Sequence, residues 1–364
     1  MKVLHGMTEA ANQAAYAVLG LRQIGVEATS ARWPDDHGWI PADYCLNIDR
    51  SKKAKYPWYG AKMLAFFEKA SREYDVFHFH AGRSLLPRCW DLKRLDRMGK
   101  PYYFEYHGSE IRQGDPWIEG NPYGRLLPQY GPRPELAARA ASQLAHAAGA
   151  IVHDAELALY DPFPSERFPL FFVPLRIDPD SYEAHYPDPR ELDHRKPLVV
   201  HAPSNPRVKG SAYVVQAIEE LQKTIDFDFQ LITGMSHEEA MDTCRRADII
   251  IDQLLIGSYG VFALESMLMG KPVLDYLRAD LQDQYPSCPI VSVNKDTIQD
   301  ELKDLLQSPG RWVELGKQGR VYAETYHDYR NVARLLEHLY RTGEGPRSPL
   351  KAFAAMERLH SRTC

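Results

Sequence analysis

Two short stretches of this chain carry residue types that suit an anion. The first runs from Ser204 to Gly210, with Arg207 and Lys209 placed just ahead of a helical pattern that begins at Ala212. A lysine at the start of a helix opposes the helix dipole, so it adds little to stability there. It becomes sensible where an anion is held by helix amides and an ammonium together. The second stretch is Gly257-Ser258-Tyr259-Gly260, directly before a helical pattern that begins at Val261. Glu265 lies five residues beyond Gly260, roughly a turn and a half into that helix and facing the same opening if the helix points at a ligand. An ionised carboxylate only accepts hydrogen bonds, and vicinal hydroxyls offer two donors side by side. Other phosphate-binding signatures are missing. No G-x-G-x-x-G follows a strand pattern and no G-x-x-x-x-G-K-[ST] occurs, which removes the usual dehydrogenase and P-loop readings.

The remaining candidates are histidines at strand ends. His80 follows an apolar run at Val76–Phe79, with Arg83 close behind, and His107 follows Tyr102–Tyr106. His78 and His80 alternate on one strand face, as a metal pair would, but no third ligand is evident and no metal is expected.

The elements that must position these residues read as an alternation. Strand patterns lie at Val3–His5, Glu27–Arg32, Val76–Phe79, Tyr102–Tyr106, Ala150–His153 and Phe171–Val173. A second series follows at Leu198–His201, Phe229–Ile232, Ile249–Asp252 and Val273–Tyr276. Helical patterns separate them: Ala10–Ile24, Leu85–Met98, Pro134–Ala147, Ala212–Lys223, Glu238–Arg246 and Val261–Met269. Short apolar strands joined by helices predict an α/β fold with parallel sheets covered on both faces. The polar, Asp- and Pro-rich stretch from Arg176 to Lys196 reads as the link between two domains, and three further helical patterns close the chain. The unusual residues, among them Gly6 after the first strand and Gly234 in the second series, sit at one end of successive strands. In open parallel sheets that is the ligand-binding end, and two sheets so decorated predict a ligand held in a cleft between domains.

Composition narrows the class. The 364 residues are 44% hydrophobic and 26% charged, as in a folded globular protein, and the net charge of −5 provides no basic field for nucleic acid. Cys45, Cys89, Cys244, Cys288 and Cys364 are scattered and odd in number, which fits reduced thiols in the cytoplasm and offers no zinc spacing. The opening MKVLHGMTEAANQ reads as a first strand, not as a signal peptide. The segment 51–74 combines Lys52, Lys53, Lys55 and Lys62 with Trp58, Tyr59, Phe66 and Phe67, a basic aromatic helix suited to peripheral contact with an anionic membrane or to packing on its own core.

With these residues in view, the stretch DIIIDQLLIGSYGVFALESMLMGKPVLDYL (248–277) resembles the donor-site segment of retaining GT-B glycosyltransferases of the family-four type. Gly260, Glu265, Gly270, Lys271 and Pro272 match that segment in order. HAPSNPRVKGSAYVVQAI (201–218) resembles the family's phosphate strand and loop, YHGSEIR (106–112) its histidine-glycine element, and FVPLRID (172–178) the lead into its linker. Two positions depart: the family's first Glu falls on Gly257, and its arginine before the lysine falls on Ser204, with Arg207 nearby instead.

The resemblance implies a GT-B fold, two Rossmann-like parallel-sheet domains facing a central cleft. Residues 1–178 would form an acceptor domain and 179–344 a nucleotide-sugar donor domain, with helix 345–364 packing back on the first. It implies transfer of a sugar from a nucleotide-diphosphate donor, with the base (UDP, GDP or ADP) unresolved and no further cofactor. The acceptor would be a glycan, lipid-linked or other acceptor in surface polysaccharide or glycoconjugate biosynthesis. The reaction would retain configuration without a metal, in the cytoplasm or peripherally on the inner face of the membrane. Gly6, Ser204, Arg207, Lys209, Gly234, Gly257, Ser258, Tyr259, Gly260, Val261 and Glu265 would bind donor. His107, Lys209 and Glu265 would be catalytic, and His80 and Arg83 would lie on the acceptor side. Leaving-group charge would be met by Lys209, Arg207 and the amides near Tyr259–Val261. Two alternatives share the architecture: a nucleotide-sugar 2-epimerase, which needs acid/base carboxylates and no acceptor, and a non-catalytic nucleotide-sugar-binding partner of another transferase.

Overall fold

The computed structural model describes residues 1–33, 38–49, 51–113, 120–128, 131, 133–160, 162–163 and 167–362; Cys364 lies outside them. The chain divides into two compact units. Unit 1 comprises Met1–Gln113, Pro132–Arg176 and His327–Cys364, and unit 2 comprises Gly114–Gly131 and Ile177–Tyr326. The return to unit 1 thus begins at His327, upstream of the helix at 345–364 that the sequence reading returns there.

Unit 1 is built on seven parallel strands: β1 (Lys2–Met7), β2 (Glu27–Arg32), β3 (Tyr44–Cys45), β4 (Val76–His80), β5 (Tyr102–Glu105), β6 (Gly149–Val152) and β7 (Leu170–Phe172), in the order β3-β2-β1-β4-β5-β6-β7. Every residue of β4, β5 and β6 is buried, because helices cover both faces and leave these strands no solvent side. The helices of this part are α1 (Gln13–Gln23), α2 (Tyr56–Glu73), α3 (Leu92–Arg97) and α4 (Pro134–Leu144). Helix α2 buries Tyr59, Met63, Phe67 and Ala70, an i, i+4 stripe facing the core, and leaves Tyr56, Trp58 and Leu64 exposed. The order of strands reverses direction between β1 and β4, so the loops after those two strands diverge and open a crevice.

Unit 2 carries five parallel strands, β8 (Leu198–His201), β9 (Asp228–Leu231), β10 (Ile249–Ile251), β11 (Val273–Asp275) and β12 (Val291–Ser292), in the order β12-β11-β10-β8-β9. Its helices are α5 (Pro206–Lys209), α6 (Ser211–Leu221), α7 (His237–Arg246), α8 (Val261–Leu268), α9 (Ile298–Leu306) and α10 (Gly310–His327), the last ending at the unit boundary. Val200, Ile232, Met241, Cys244, Ile250 and Met269 form one core on this sheet. Here the reversal lies between β8 and β10. Helices α11 (Tyr329–Thr342) and α12 (Pro349–His360) belong to unit 1, where α11 packs along α1.

Two differences from the sequence reading affect the site. Strand β1 extends to Met7, so Gly6 lies within the strand and not in the loop after it. Gly6 pairs in register with Ala31, and a Cβ on it would stand 2.5 Å from the Ala31 carbonyl oxygen. This glycine lets two strands approach. The second difference is α9, whose apolar spacing at Ile298, Leu302 and Leu305 is helical but was not among the expected helices.

Candidate functional site

In unit 2, the loops after β8 and β10 meet at the strand-order reversal. Asn205 caps the short α5, its side-chain oxygen accepting from the amides of Arg207 (3.2 Å) and Val208 (3.4 Å). Gly210 follows in the left-handed region at φ 79° and joins α5 to α6. This turn points Lys209 back over the sheet. Its Nζ donates to Asp252 Oδ1 at 2.5 Å, and its carbonyl accepts from the Leu254 amide at 3.1 Å, tying the two loops together. The lysine is therefore a largely buried cation at the carboxyl ends of β8 and β10, and not a solvated surface group; its side chain is 14% exposed. Ser204 and Arg207 are exposed beside it. Gly234, at φ 71° after β9, is exposed with open space where a Cβ would stand.

Asp275, at the end of β11, is fully buried. Burial, and then the neighbouring Asp252 carboxylate, push its acid well above the usual range. Sequence reading reached Asp252 only as a strand end and missed Asp275, because both pairings join strands far apart in the chain.

The loop 252–260 is held from several sides. Asn121 donates to the carbonyls of Leu255 (2.9 Å) and Ile256 (3.0 Å), and the Arg278 amide donates to the Gly257 carbonyl at 3.0 Å. Gly257 sits at φ 95°, and a Cβ there would lie 2.4 Å from Arg278 Cγ. The position where the resemblance expects a carboxylate is therefore closed to any side chain by conformation and by the arginine stem. Tyr259 turns its ring inward, its hydroxyl 2.9 Å from that of Tyr322, so only its backbone is left to meet a ligand. Gly260 precedes α8 with no side chain on the helix amides and nothing within 4 Å of its Cβ direction. Glu265, on α8, is buried and accepts through Oε1 from the Tyr182 hydroxyl and His237 Nε2, both at 2.9 Å. Those two orienting groups, from the segment before β8 and the first turn of α7, had no sequence signal beyond residue type.

In unit 1, the loop after β1 holds Glu9, whose carboxylate accepts from the amides of Ala10 and Ala14 (both 3.0 Å) and Ala15 (3.1 Å). His107 follows β5 and is half-buried. Its amide donates to Glu110 Oε1, and its Nε2 lies 3.1 Å from His80 Nδ1. Burial pushes the His107 imidazole down to about 4, so it is neutral at pH 7. His80 is fully buried and touches His107 and His5, so it reaches no acceptor directly. Arg83 stacks its guanidinium 5.4 Å from the Trp33 ring centroid.

His78 finds the third histidine that the sequence did not reveal. His5 lies opposite it in the parallel register of β1 and β4, and ring nitrogens of His5, His78 and His80 come within 4.8 Å of one another. These nitrogens are taken up by hydrogen bonds: His5 Nδ1 to His80 Nε2 at 3.1 Å, and His78 Nδ1 to the Tyr340 hydroxyl at 2.5 Å. The His78 and His80 rings stack in parallel at 4.6 Å, so their in-plane lone pairs do not converge on one point.

No protein-family model and no curated protein sequence matches this chain. Its fold does match solved structures. Sucrose-phosphate synthase from Thermosynechococcus elongatus is similar over 93% of this chain and 98% of that chain, with TM-score 0.63 and 16% identity. A trehalose-6-phosphate synthase is similar over 94% and 99%, with TM-score 0.58 and 11% identity. HepE of Anabaena, solved in complex with UDP, is similar over 94% and 100%, with TM-score 0.53 and 12% identity. The shared property is the fold: two Rossmann-like parallel-sheet units of the GT-B glycosyltransferase type.

Proposed function

We propose that this protein is a glycosyltransferase that takes a sugar from a nucleotide-diphosphate donor. The observation that carries the proposal is that Lys209 and α8, with its uncapped start and the held carboxylate of Glu265, follow the carboxyl ends of the adjoining strands β8 and β10. A diphosphate takes its charge from Lys209, Arg207 and the first amides of α8, and these groups also stabilise the negative leaving group as the glycosidic bond breaks. Glu265 accepts hydrogen bonds from ribose hydroxyls, having been oriented by Tyr182 and His237. Ser204, Gly234 and the backbone of 257–261 complete the donor side. In unit 1, His107 meets the donor sugar, and Arg83 belongs to the acceptor side.

Retention of configuration, independence of metal, and a glycan or lipid-linked acceptor in polysaccharide or glycoconjugate assembly follow from the resemblance and belong to the same proposal. So does peripheral membrane contact through Tyr56, Trp58, Leu64 and the lysines preceding α2. Among the described residues no helix is long and apolar enough to cross a membrane. One observation favours a second reading, a nucleotide-sugar-binding partner without turnover: Gly257 and Arg278 fill the place of the expected carboxylate.

Thermal unfolding of wild type and Lys209→Ala against UDP, GDP and ADP tests the donor site. A ligand at about 100 times its Kd adds about 2.7 kcal/mol to stability. One diphosphate should raise the Tm of wild type by several degrees, and Lys209→Ala should lose most of that shift. Equal shifts in both proteins would remove Lys209 from the site. Donor binding without sugar transfer to any offered acceptor would favour the second reading.

A further inference from the structure

The carboxyl end of the first sheet contains a run of four hydrogen bonds that begins at a buried ion-pair contact and ends at His107. Glu105, His78, Tyr340, His5, His80 and His107 form it, and all but His107 are fully or almost fully buried. The links are Glu105 Oε2 to His78 Nε2 at 3.0 Å, His78 Nδ1 to the Tyr340 hydroxyl at 2.5 Å, and that hydroxyl to His5 Nε2 at 3.2 Å. His5 Nδ1 to His80 Nε2 and His80 Nδ1 to His107 Nε2, both at 3.1 Å, complete it. There are five links. Four neutral imidazoles and one phenol supply one proton each, so every link holds one proton and the run has a single direction.

Glu105 sets that direction. Its Oε1 is ion-paired with Arg176, so the carboxylate stays ionised and can only accept. Glu105 Oε2 stands 3.0 Å from His78 Nε2 as a buried ion-pair contact, and neither atom makes a hydrogen bond elsewhere; an ionised oxygen that close to a ring nitrogen is favourable only when the nitrogen carries the proton, so His78 carries its proton on Nε2. Its bare Nδ1 then takes the Tyr340 proton, and the phenol oxygen in turn accepts from His5 Nε2. His5 Nδ1, now bare, accepts from His80 Nε2, and His80 Nδ1 accepts from His107 Nε2. The other contact in reach, His80 Nδ1 to Glu105 Oε2 at 3.6 Å, is too long for a hydrogen bond. The surrounding charges agree with neutral rings: burial holds His5 and His80 well below the usual range and lowers His78. Burial alone would raise Glu105, but Arg176 and then His78 hold it well below the usual range. Glu110 and His153 are the other titratable groups facing His107.

We propose that Glu105, acting through His78, Tyr340, His5 and His80, fixes His107 as the tautomer protonated on Nε2, leaving Nδ1 as a bare acceptor for a hydroxyl of the substrate. Tyr340 and Glu105 are positioning residues in this arrangement, since neither touches substrate. The identity of that hydroxyl as a sugar's rests on the proposed transferase function; the tautomer does not.

The test is a long-range 1H–15N correlation spectrum of the full chain labelled with 15N-histidine, which reads the protonated nitrogen of each ring, with resonances assigned through single His→Gln variants. At pH 7, His5, His78, His80 and His107 should all carry their proton on Nε2. Tyr340→Phe cuts the run between His78 and His5. His78 should then keep its tautomer, whereas His107 should shift toward Nδ1 protonation. An Nδ1 proton on any of the four in wild type overturns the proposal, and so does a His107 signal that Tyr340→Phe leaves unchanged. The wild-type spectrum decides even if the variant does not fold. Because the spectrum is taken without nucleotide, its outcome is separate from the Lys209 thermal shifts.

Discussion

At the end of β1, Glu9 lays its carboxylate on the first amides of α1, so that helix start is already filled by the protein's own anion. At the start of α8, Gly260 puts no side chain on the amides and leaves open space beside them. Unit 1 continues in the same vein: Glu105 is matched by Arg176, and the histidines around it bond to one another. Unit 2 keeps a cation on the loop after the neighbouring strand, with Lys209 on Asp252 and Arg207 exposed nearby. The comparison shows that a parallel sheet with helices does not by itself make an anion site. One well-placed carboxylate withdraws the helix amides from use, and a glycine leaves them available.

Acid should separate the two units most strongly. Five histidines of unit 1, four of them buried and His107 half-buried, are held below their usual range, with His107 and His327 at about 4, while unit 2 has His201, also at about 4. Such groups stay neutral in the fold while the unfolded chain takes up protons below about pH 6.5. Their stabilisation is complete above that value and is lost as pH falls from it toward 4. The slope is on the order of 1.4 kcal/mol per pH unit for each fully buried histidine. Asp275 works the other way. Its acid is raised, so its contribution to unit 2 is full below about pH 3.9 and is lost as pH rises through the folded value. Limited proteolysis during thermal unfolding at pH 8 and pH 5 should show unit 1 opening first at pH 5; earlier opening of unit 2 would break the comparison.

Glu105→Ala should come next in size. It leaves Arg176 buried without its counter-ion, at a cost of about 3–5 kcal/mol. Urea unfolding would register this loss, while nucleotide binding at the Lys209 junction should persist in the protein that remains folded. Glu9→Ala should be the mildest. Removing a side chain that caps helix amides costs about 0.5–2 kcal/mol, visible as a small fall in the urea midpoint. No measurable change would mean that the α1 amides find water as readily as they find Glu9.

Much of this was legible from local pattern. The continuous apolar runs placed nearly every strand within a residue or two, and the glycines before Val261 marked the start of α8. Polar residues at strand ends located both junctions. What the sequence could not show was which end would meet which. His5 and Tyr340 close the histidine run from 335 residues apart, and Asp252 reaches Lys209 only because β8 and β10 are neighbours in the sheet. The inward turn of the Tyr259 ring was hidden for a related reason: its tyrosine partners, Tyr285 and Tyr322, come from later elements. Gly6 was read as a loop residue because a glycine required by the close approach of β2 looks the same in sequence as one required by a turn.

The packing at Gly257 also bears on how this site can change over time. An acidic side chain placed there would collide with the Arg278 stem and impose a side chain on a left-handed backbone. The arginine would have to yield first, and it is itself buried and paired with Asp280. An acidic side chain at 257 is therefore accommodated only together with a change at 278.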